Sequence, residues 1–215
     1  MKYKAVVFDM DGVIFDSEKA VVESWLVTAE KYGIQDVEKV VLSCMGTNAS
    51  KSKQIFLEYY GEDFPYDAYK AECSAFFHDK YGEGRLPLKP GIRELLTFLR
   101  EKGYKIGLAS STREEVVVSQ LKYANLYSFF DEIICGNMVK ESKPAPDIYL
   151  LACEKLQVEP KEAVAIEDSY NGIRSAKAAG LSPIMVPDLI PPNEEMEQLA
   201  IIIGKDLFEI KDVFF

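Results

Sequence analysis

The sequence predicts an α/β fold: a Rossmann-like three-layer core with a parallel sheet, plus an α-helical cap domain inserted after the first strand. Three observations predict it. Apolar, β-branched runs alternate with helical patterns after residue 86. Those runs are continuous rather than alternating, as in strands buried on both faces. The stretch from 16 to 84 is helical in period and has no convincing strand within it. The core is therefore expected at 1–15 and 85–215, and the cap at 16–84.

The first strand is expected at Lys4 to Phe8, a run of β-formers. The cap follows as "SEKAVVESWLVTAEKYG", "SKSKQIFLEYYG" and "YDAYKAECSAFFHDKYG", three helical patterns each ending in glycine. In the core, "PGIRELLTFLREKG" sets Leu95, Leu96 and Leu99 on one face and stops at Gly103. A second strand runs from Lys105 to Ala109. The helix in "TREEVVVSQLKYANL" opens with a capping box, Thr112 with Glu115. Strands at Glu132 to Cys135, Ala163 to Ile166, Pro183 to Val186 and Ala200 to Ile203 alternate with helices in "PDIYLLACEKL" and "NGIRSAKAAG". The acidic "PPNEEMEQ" reads as a capped surface helix.

At 215 residues, 48% hydrophobic and 28% charged, the chain fits one globular unit or a core with a small insertion, not a disordered protein. Its 35 acids against 25 bases give a net charge of −10, with no Lys/Arg cluster shaped for a phosphate backbone, so nucleic acid is not an expected partner. No basic n-region precedes the first strand, and no run approaches the roughly 18 apolar residues of a membrane span. A soluble, cytoplasmic, monomeric protein is the expectation. Cys44, Cys73, Cys135 and Cys153 are scattered without C-x-x-C and read as buried thiols. The single histidine, His78, excludes paired-imidazole metal sites and reads as a surface or packing residue. No G-x-S-x-G elbow accompanies it. Chemistry must run on carboxylates, hydroxyls and lysines.

Ligands of doubly wound sheets bind beyond the carboxyl ends of the strands. In "FDMDGVIFDS", Asp9 and Asp11 follow strand one, and alternation points both the same way while Met10 points away. Gly12 lets the backbone turn close to what they hold. An EF-hand is excluded, because its fifth and sixth positions are Val13 and Ile14. Strand four ends in a second acidic pair, Glu167 and Asp168 in "AIEDS". Either pair alone could be a helix cap; two pairs at converging strand ends repel unless a cation sits among them. All-oxygen ligands suit Mg²⁺. "GLASSTREEV" brings Ser110, Ser111 and Thr112 to a helix start, where hydroxyls and free N–H groups favour an anion. Lys143, in "ESKPAPDIY", alone could be a solvated loop charge; beside the other strand ends it reads as functional. Neither a Walker A motif nor G-x-G-x-x-G is present.

This set resembles the haloacid dehalogenase superfamily of phosphotransferases. "DMDGVIFDS" is similar to its first motif, the Ser110 region to its second, Lys143 in "KPAPDIY" to its third and "IEDSYNGIRSAKAAG" to its fourth. The match spans nearly the whole core in the right order. It lies nearest the branch with small α-helical caps that contains β-phosphoglucomutase, phosphoglycolate phosphatase and sugar-phosphate phosphatases. The resemblance implies that Asp9 attacks phosphorus and forms an aspartyl phosphate, while Asp11 protonates the leaving oxygen and then activates the acceptor. It implies that Mg²⁺ is held by Asp9, the Asp11 backbone carbonyl and Asp168, with Glu167 acting through water. Ser110 and Lys143 are to bind the transferring oxygens, with Gly12, Ser111, Thr112, Gly46, Thr47 and Asn171 about the substrate. Dehalogenases of the family lack the second acid, so Asp11 favours phosphoryl transfer.

The cap departs from the mutases. Ala49 stands where β-phosphoglucomutases carry a phosphate-gripping arginine, Met45 replaces a lysine, and Val21 stands where they place a histidine. A mutase must hold a second phosphate, which demands cations in the cap; Lys51 and Lys53 could substitute, though on "SKSKQIF" they read as a solvated face. A phosphonatase would need a Schiff-base lysine near Ala49. The expectation is a Mg²⁺-dependent phosphatase of a small phosphorylated metabolite, a sugar or polyol phosphate. A β-phosphoglucomutase is the alternative reading, and a non-catalytic phospho-ligand binder the alternative of another class.

Overall fold

The computed structural model describes residues 3–44 and 49–214. β1 (Ala5–Phe8) leads into a helical insertion of α1 (Ser17–Tyr32), α2 (Val37–Cys44), α3 (Ala49–Tyr60) and α4 (Tyr66–Tyr81). The chain returns through α5 (Ile92–Glu101), β2 (Lys105–Ser110), α6 (Glu114–Tyr123), β3 (Glu132–Cys135), α7 (Asp147–Leu156) and β4 (Ala163–Glu167). It ends with α8 (Tyr170–Ala178), β5 (Ser182–Met185), α9 (Glu194–Leu199), β6 (Ile202–Ile203) and α10 (Leu207–Phe214). Every strand pairing is parallel, in the order β3-β2-β1-β4-β5-β6. The three-layer α/β architecture is therefore as the alternation predicts.

The two faces of the sheet are filled differently. Val6, Phe8, Ile106, Leu108, Val164 and Ile166 face a core of large side chains shared with Leu95, Leu96 and Leu99 of α5. Ala5, Val7, Ala109, Ala163 and Ala165 face α7 through Tyr149, Ala152, Cys153 and Leu156. Small residues on this face let α7 come close: a Cβ on Gly107 would stand 2.9 Å from Leu156 Cδ1. Because side chains alternate along a strand, the residues that continue the α7-facing row are Asp9, just past the end of β1, after Val7 and Glu167, the last residue of β4, after Ala165. Register places these two ends side by side, with Phe8 opposite Ile166 and the Asp9 amide donating to the Ile166 carbonyl at 2.9 Å. The chain moves outward from β1 to β3 and then crosses to β4, so the strand order reverses between β1 and β4. A ligand crevice is expected at that switch point.

The insertion buries an aromatic core of its own. Trp25 stacks within 4.8 Å of Phe56 and 5.4 Å of Tyr69, whose hydroxyl donates to the Trp25 carbonyl at 2.6 Å. α1 stops at Gly33 with φ 62°, a left-handed turn that glycine adopts without a side-chain clash. Two helices depart from the sequence expectation by being additional. α2 carries Val37, Val40, Val41 and Cys44 at helical spacing, and α10 closes against α5. The last strand is shorter than its apolar run, because Ile201 lies outside it and is exposed. Asn193 caps α9 by accepting from the Met196 amide at 3.0 Å. The capping box expected at Thr112 and Glu115 is absent; α6 starts after Arg113, and its first amide, Glu114, donates to Asn137 Oδ1. None of the four cysteines is in a disulfide; three are buried and Cys44 is half-buried.

Trp25 is the one tryptophan of the chain, so its fluorescence reports on the insertion alone. Phe56→Ala removes a fully buried ring at the centre of that cluster and is expected to cost about 3–5 kcal/mol. Urea titration should move the fluorescence midpoint to lower concentration further than the far-ultraviolet dichroism midpoint.

Candidate active site

The carboxyl ends of β1, β2 and β4 surround a cavity of about 500 Å³ lined by Asp9, Asp11, Lys143 and Asp168 among others. Asp9 is the first residue past β1. The chain after it folds back at once: the Ile14 and Phe15 amides donate to the Met10 carbonyl, and the Gly12 amide donates to the Phe15 carbonyl at 2.9 Å. That loop buries Met10 in the core and brings Asp11 to the cavity wall. Gly12 sits at φ +79° with its Cα against the Asp168 carboxylate; a Cβ there would lie 2.1 Å from Oδ2. Both the turn and the close approach require glycine.

Lys143 organises the floor. Its ammonium donates to Asp9 Oδ1 at 2.5 Å, to Glu167 Oε1 at 2.6 Å and to the Ala109 carbonyl at 2.9 Å. Burial works against its charge, but the two carboxylates outweigh it and hold the ammonium's pKa above the ordinary lysine value. Glu167 is fully buried, and both its oxygens are occupied. Oε1 also accepts from the Tyr149 hydroxyl at 2.8 Å, and Oε2 accepts from the Ser169 hydroxyl at 3.0 Å. Gly172 makes room for it, since a Cβ there would fall within 2.0 Å of the carboxylate. Ser169 meanwhile caps α8 by accepting from the Gly172 amide at 3.0 Å.

Asp9, Glu167 and Asp168 can bring one carboxylate oxygen each within 4.8 Å of one another. One buried lysine does not balance three such acids. Burial first, with Glu167 and Asp11 adding to it against the pull of Lys143, pushes the Asp9 carboxyl up to about 8. Burial, Glu167 and Asp9 raise Asp168 well above the usual carboxylate range. A surplus of buried negative charge with oxygen-only donors fits a hard divalent cation such as Mg²⁺. Asp9 and Asp168 would hold it, because Glu167 is already committed to Lys143, Tyr149 and Ser169. The Asp11 carboxylate is not part of this group; its Oδ2 accepts from the Thr112 hydroxyl at 2.9 Å.

The remaining expected residues are placed as follows. Ser111 and Asn171 line the cavity. Ser110 is fully buried at the end of β2, its Oγ accepting from the Thr112 amide at 3.1 Å. Thr112 spends its hydroxyl on Asp11 rather than on a helix cap. Gly46 and Thr47 lie outside the described residues. Val21 packs against the insertion's own core, Lys51 donates to Gln54 and Lys53 pairs with Asp67. His78 is exposed on α4. Sequence reasoning missed Tyr149, Ser169 and Gly172, which hold Glu167, and Glu18, Arg174 and Ile190 on the cavity wall. Glu18 was legible as the first-turn residue of a cap helix; nothing in the sequence ties Tyr149 to Glu167.

Residues 6–186 match the family of haloacid dehalogenase-like hydrolases. A phosphorylated carbohydrates phosphatase of Thermotoga maritima is 35% identical over 181 residues, covering 84% of this chain and 83% of the relative. The crystal structure of CbbY from Rhodobacter sphaeroides in complex with xylulose-(1,5)bisphosphate superposes with a TM-score of 0.72 at 28% identity, covering 97% and 96% of the two chains. A β-phosphoglucomutase of Clostridium difficile superposes at 0.71 with 25% identity, covering 99% and 94%.

Two expectations follow from this geometry. Between the ordinary value of 3.8 and about 8, the folded protein holds a proton on Asp9 that the unfolded chain has lost. Stability of the metal-free protein therefore falls as pH rises through that window. Differential scanning calorimetry should show a Tm lower at pH 8 than at pH 5, and a Mg²⁺-induced rise in Tm that is larger at pH 8, where less of the Asp9 proton remains to be displaced. Tyr149→Phe removes one buried donor to a carboxylate and should cost about 1.5–3 kcal/mol in urea unfolding.

Proposed function

The chain belongs to the haloacid dehalogenase-like hydrolases, and on that premise we propose that it hydrolyses the phosphate monoester of a small carbohydrate or polyol through an aspartyl phosphate on Asp9. The observation that carries this reading is the placing of Asp9 and Asp11 on the wall of one cavity, the first beside a buried ammonium and the second beside a hydroxyl donor. Residues 16–84 are taken as the cap domain that closes over the ester.

Asp9 is the nucleophile. Its carboxylate oxygen forms a bond to phosphorus as the bond from phosphorus to the alcohol oxygen breaks, which yields an aspartyl phosphate and an alkoxide. Asp11 protonates that leaving oxygen. The Thr112 hydroxyl fixes its Oδ2, so Oδ1 is the oxygen left to face the ester. In the second half, Asp11 takes a proton from water, whose oxygen attacks phosphorus and frees Asp9 and inorganic phosphate. Lys143 offsets charge on the phosphoryl oxygens without leaving its carboxylates. Ser111, on the cavity wall, binds those oxygens, with Ser110 holding the turn beneath it through the Thr112 amide. When bound by Asp9 and Asp168, Mg²⁺ supplies further positive charge at the phosphoryl group.

The similarity to a phosphorylated carbohydrates phosphatase supports the substrate class. Asp9→Asn should lower phosphate release by about a thousandfold or more while leaving the circular dichroism spectrum unchanged. Chelation of divalent cations should abolish release and added Mg²⁺ restore it. Undiminished turnover by Asp9→Asn would sink the nucleophile assignment.

A further inference from the structure

The cavity wall has a part that the phosphoryl chemistry does not use. Glu18 reaches it from the first turn of α1, in the insertion, and Asn171 and Arg174 reach it from the first turns of α8. The Glu18 carboxyl lines this wall; burial, with Asp188 adding to it, pushes it up to about 7, so it carries its charge at pH 8.

Arg174 is held in place. Its Nε donates to Glu195 Oε1 at 2.7 Å, its Nη2 donates to Glu195 Oε2, and its Nη1 donates to Asn171 Oδ1 at 3.2 Å. A guanidinium has no acceptor, so the amide atom it meets must be the oxygen. The Asn171 Nδ2 group is thereby the one left for a ligand. Among the described residues that line the cavity, both cations are already paired: Lys143 with Asp9 and Glu167, and Arg174 with Glu195.

The wall beyond the phosphoryl end thus offers an acceptor of negative charge and a neutral donor, with no unpaired cation among its described residues. A hydroxyl group satisfies both partners, since it donates and accepts. A second phosphate or a carboxylate only accepts, and it meets Glu18 as a like charge in a partly desolvated space. We propose that Glu18, together with the Asn171 amide oriented by Arg174, is the specificity-determining pair, selecting a leaving group that carries hydroxyls and excluding one that carries a second acid group. This inference rests on the phosphatase reading above and narrows its substrate class to monoesters of uncharged polyhydroxy alcohols.

The test is steady-state phosphate release at pH 8 with Mg²⁺ from three monoesters: sorbitol 6-phosphate, 2-phosphoglycolate and p-nitrophenyl phosphate. The wild type should prefer sorbitol 6-phosphate to 2-phosphoglycolate by about a hundredfold in kcat/KM, mostly through KM. Glu18→Gln removes the charge and keeps the shape; the preference should fall about tenfold, with kcat/KM for 2-phosphoglycolate rising in absolute terms. A rise cannot come from misfolding. Glu195→Ala leaves Glu18 in place and frees the Arg174 fork, so it too should lower the KM for 2-phosphoglycolate. A wild type that prefers 2-phosphoglycolate would overturn the inference without any variant, as would a preference unaltered in Glu18→Gln with all three esters still hydrolysed. Release from none of the three would instead overturn the phosphatase reading, and this inference with it.

Discussion

The ion triad of Asp9, Lys143 and Glu167 is the interaction on which the site depends. One ammonium lies within 2.6 Å of two buried carboxylates. In a low-dielectric interior such a pair gains strongly from Coulomb attraction but must first lose its hydration. The fold offsets that loss with extra hydrogen bonds: Tyr149 and Ser169 donate to Glu167, and Lys143 donates to the Ala109 carbonyl. Removing either partner would strand an uncompensated charge. Glu167 is in this sense a support for Lys143, and Lys143 in turn fixes where the Asp9 oxygen points.

The backbone makes that geometry possible by being thin where the carboxylates need space. Alanines at Ala109, Ala163 and Ala165 and the glycine at Gly107 draw α7 close to the sheet, which brings Tyr149 under Glu167. Gly172 yields the volume the Glu167 carboxylate fills, and Gly12 the volume beside Asp168. Parallel register does the rest, since the ends of β1 and β4 are hydrogen-bonded neighbours at the point where strand order reverses. The Asp9 carboxylate at that crevice is held by the buried sheet and still opens onto the cavity.

The rest of the cavity wall comes from different elements. The insertion packs its own aromatic core around Trp25 and Phe56 and sends Glu18 to the cavity from its first turn. Near that turn, Lys89 pairs with the buried Asp188 at 2.6 Å and lies 3.7 Å from Asp16. These contacts tie the start of the insertion to the loop after β5. The part of the cavity that carries Asp9 and Lys143 is therefore built by strand ends, while the part that carries Glu18 is built by helix first turns and loops, which can vary without disturbing the triad.

The sequence by itself determined the alternation of parallel strands and helices, the helical insertion after the first strand, and the four strand-end segments that carry Asp9, Asp11, Ser110, Lys143, Glu167 and Asp168. These are legible because hydrophobic period and glycine position are local properties of the chain. It misassigned Thr112 as a helix cap, because a hydroxyl before a helix has the same local signature whether it meets an amide or a carboxylate 101 residues away. Only the tertiary structure decided that Glu167 is occupied by Lys143, Tyr149 and Ser169, that Glu18 enters the cavity, and that Glu195 pairs with Arg174. Apart from Ser169, which lies two residues from Glu167, those are contacts between segments distant in sequence, and their partners are set by register, close helix approach and burial, none of which leaves a periodic trace in the residues themselves.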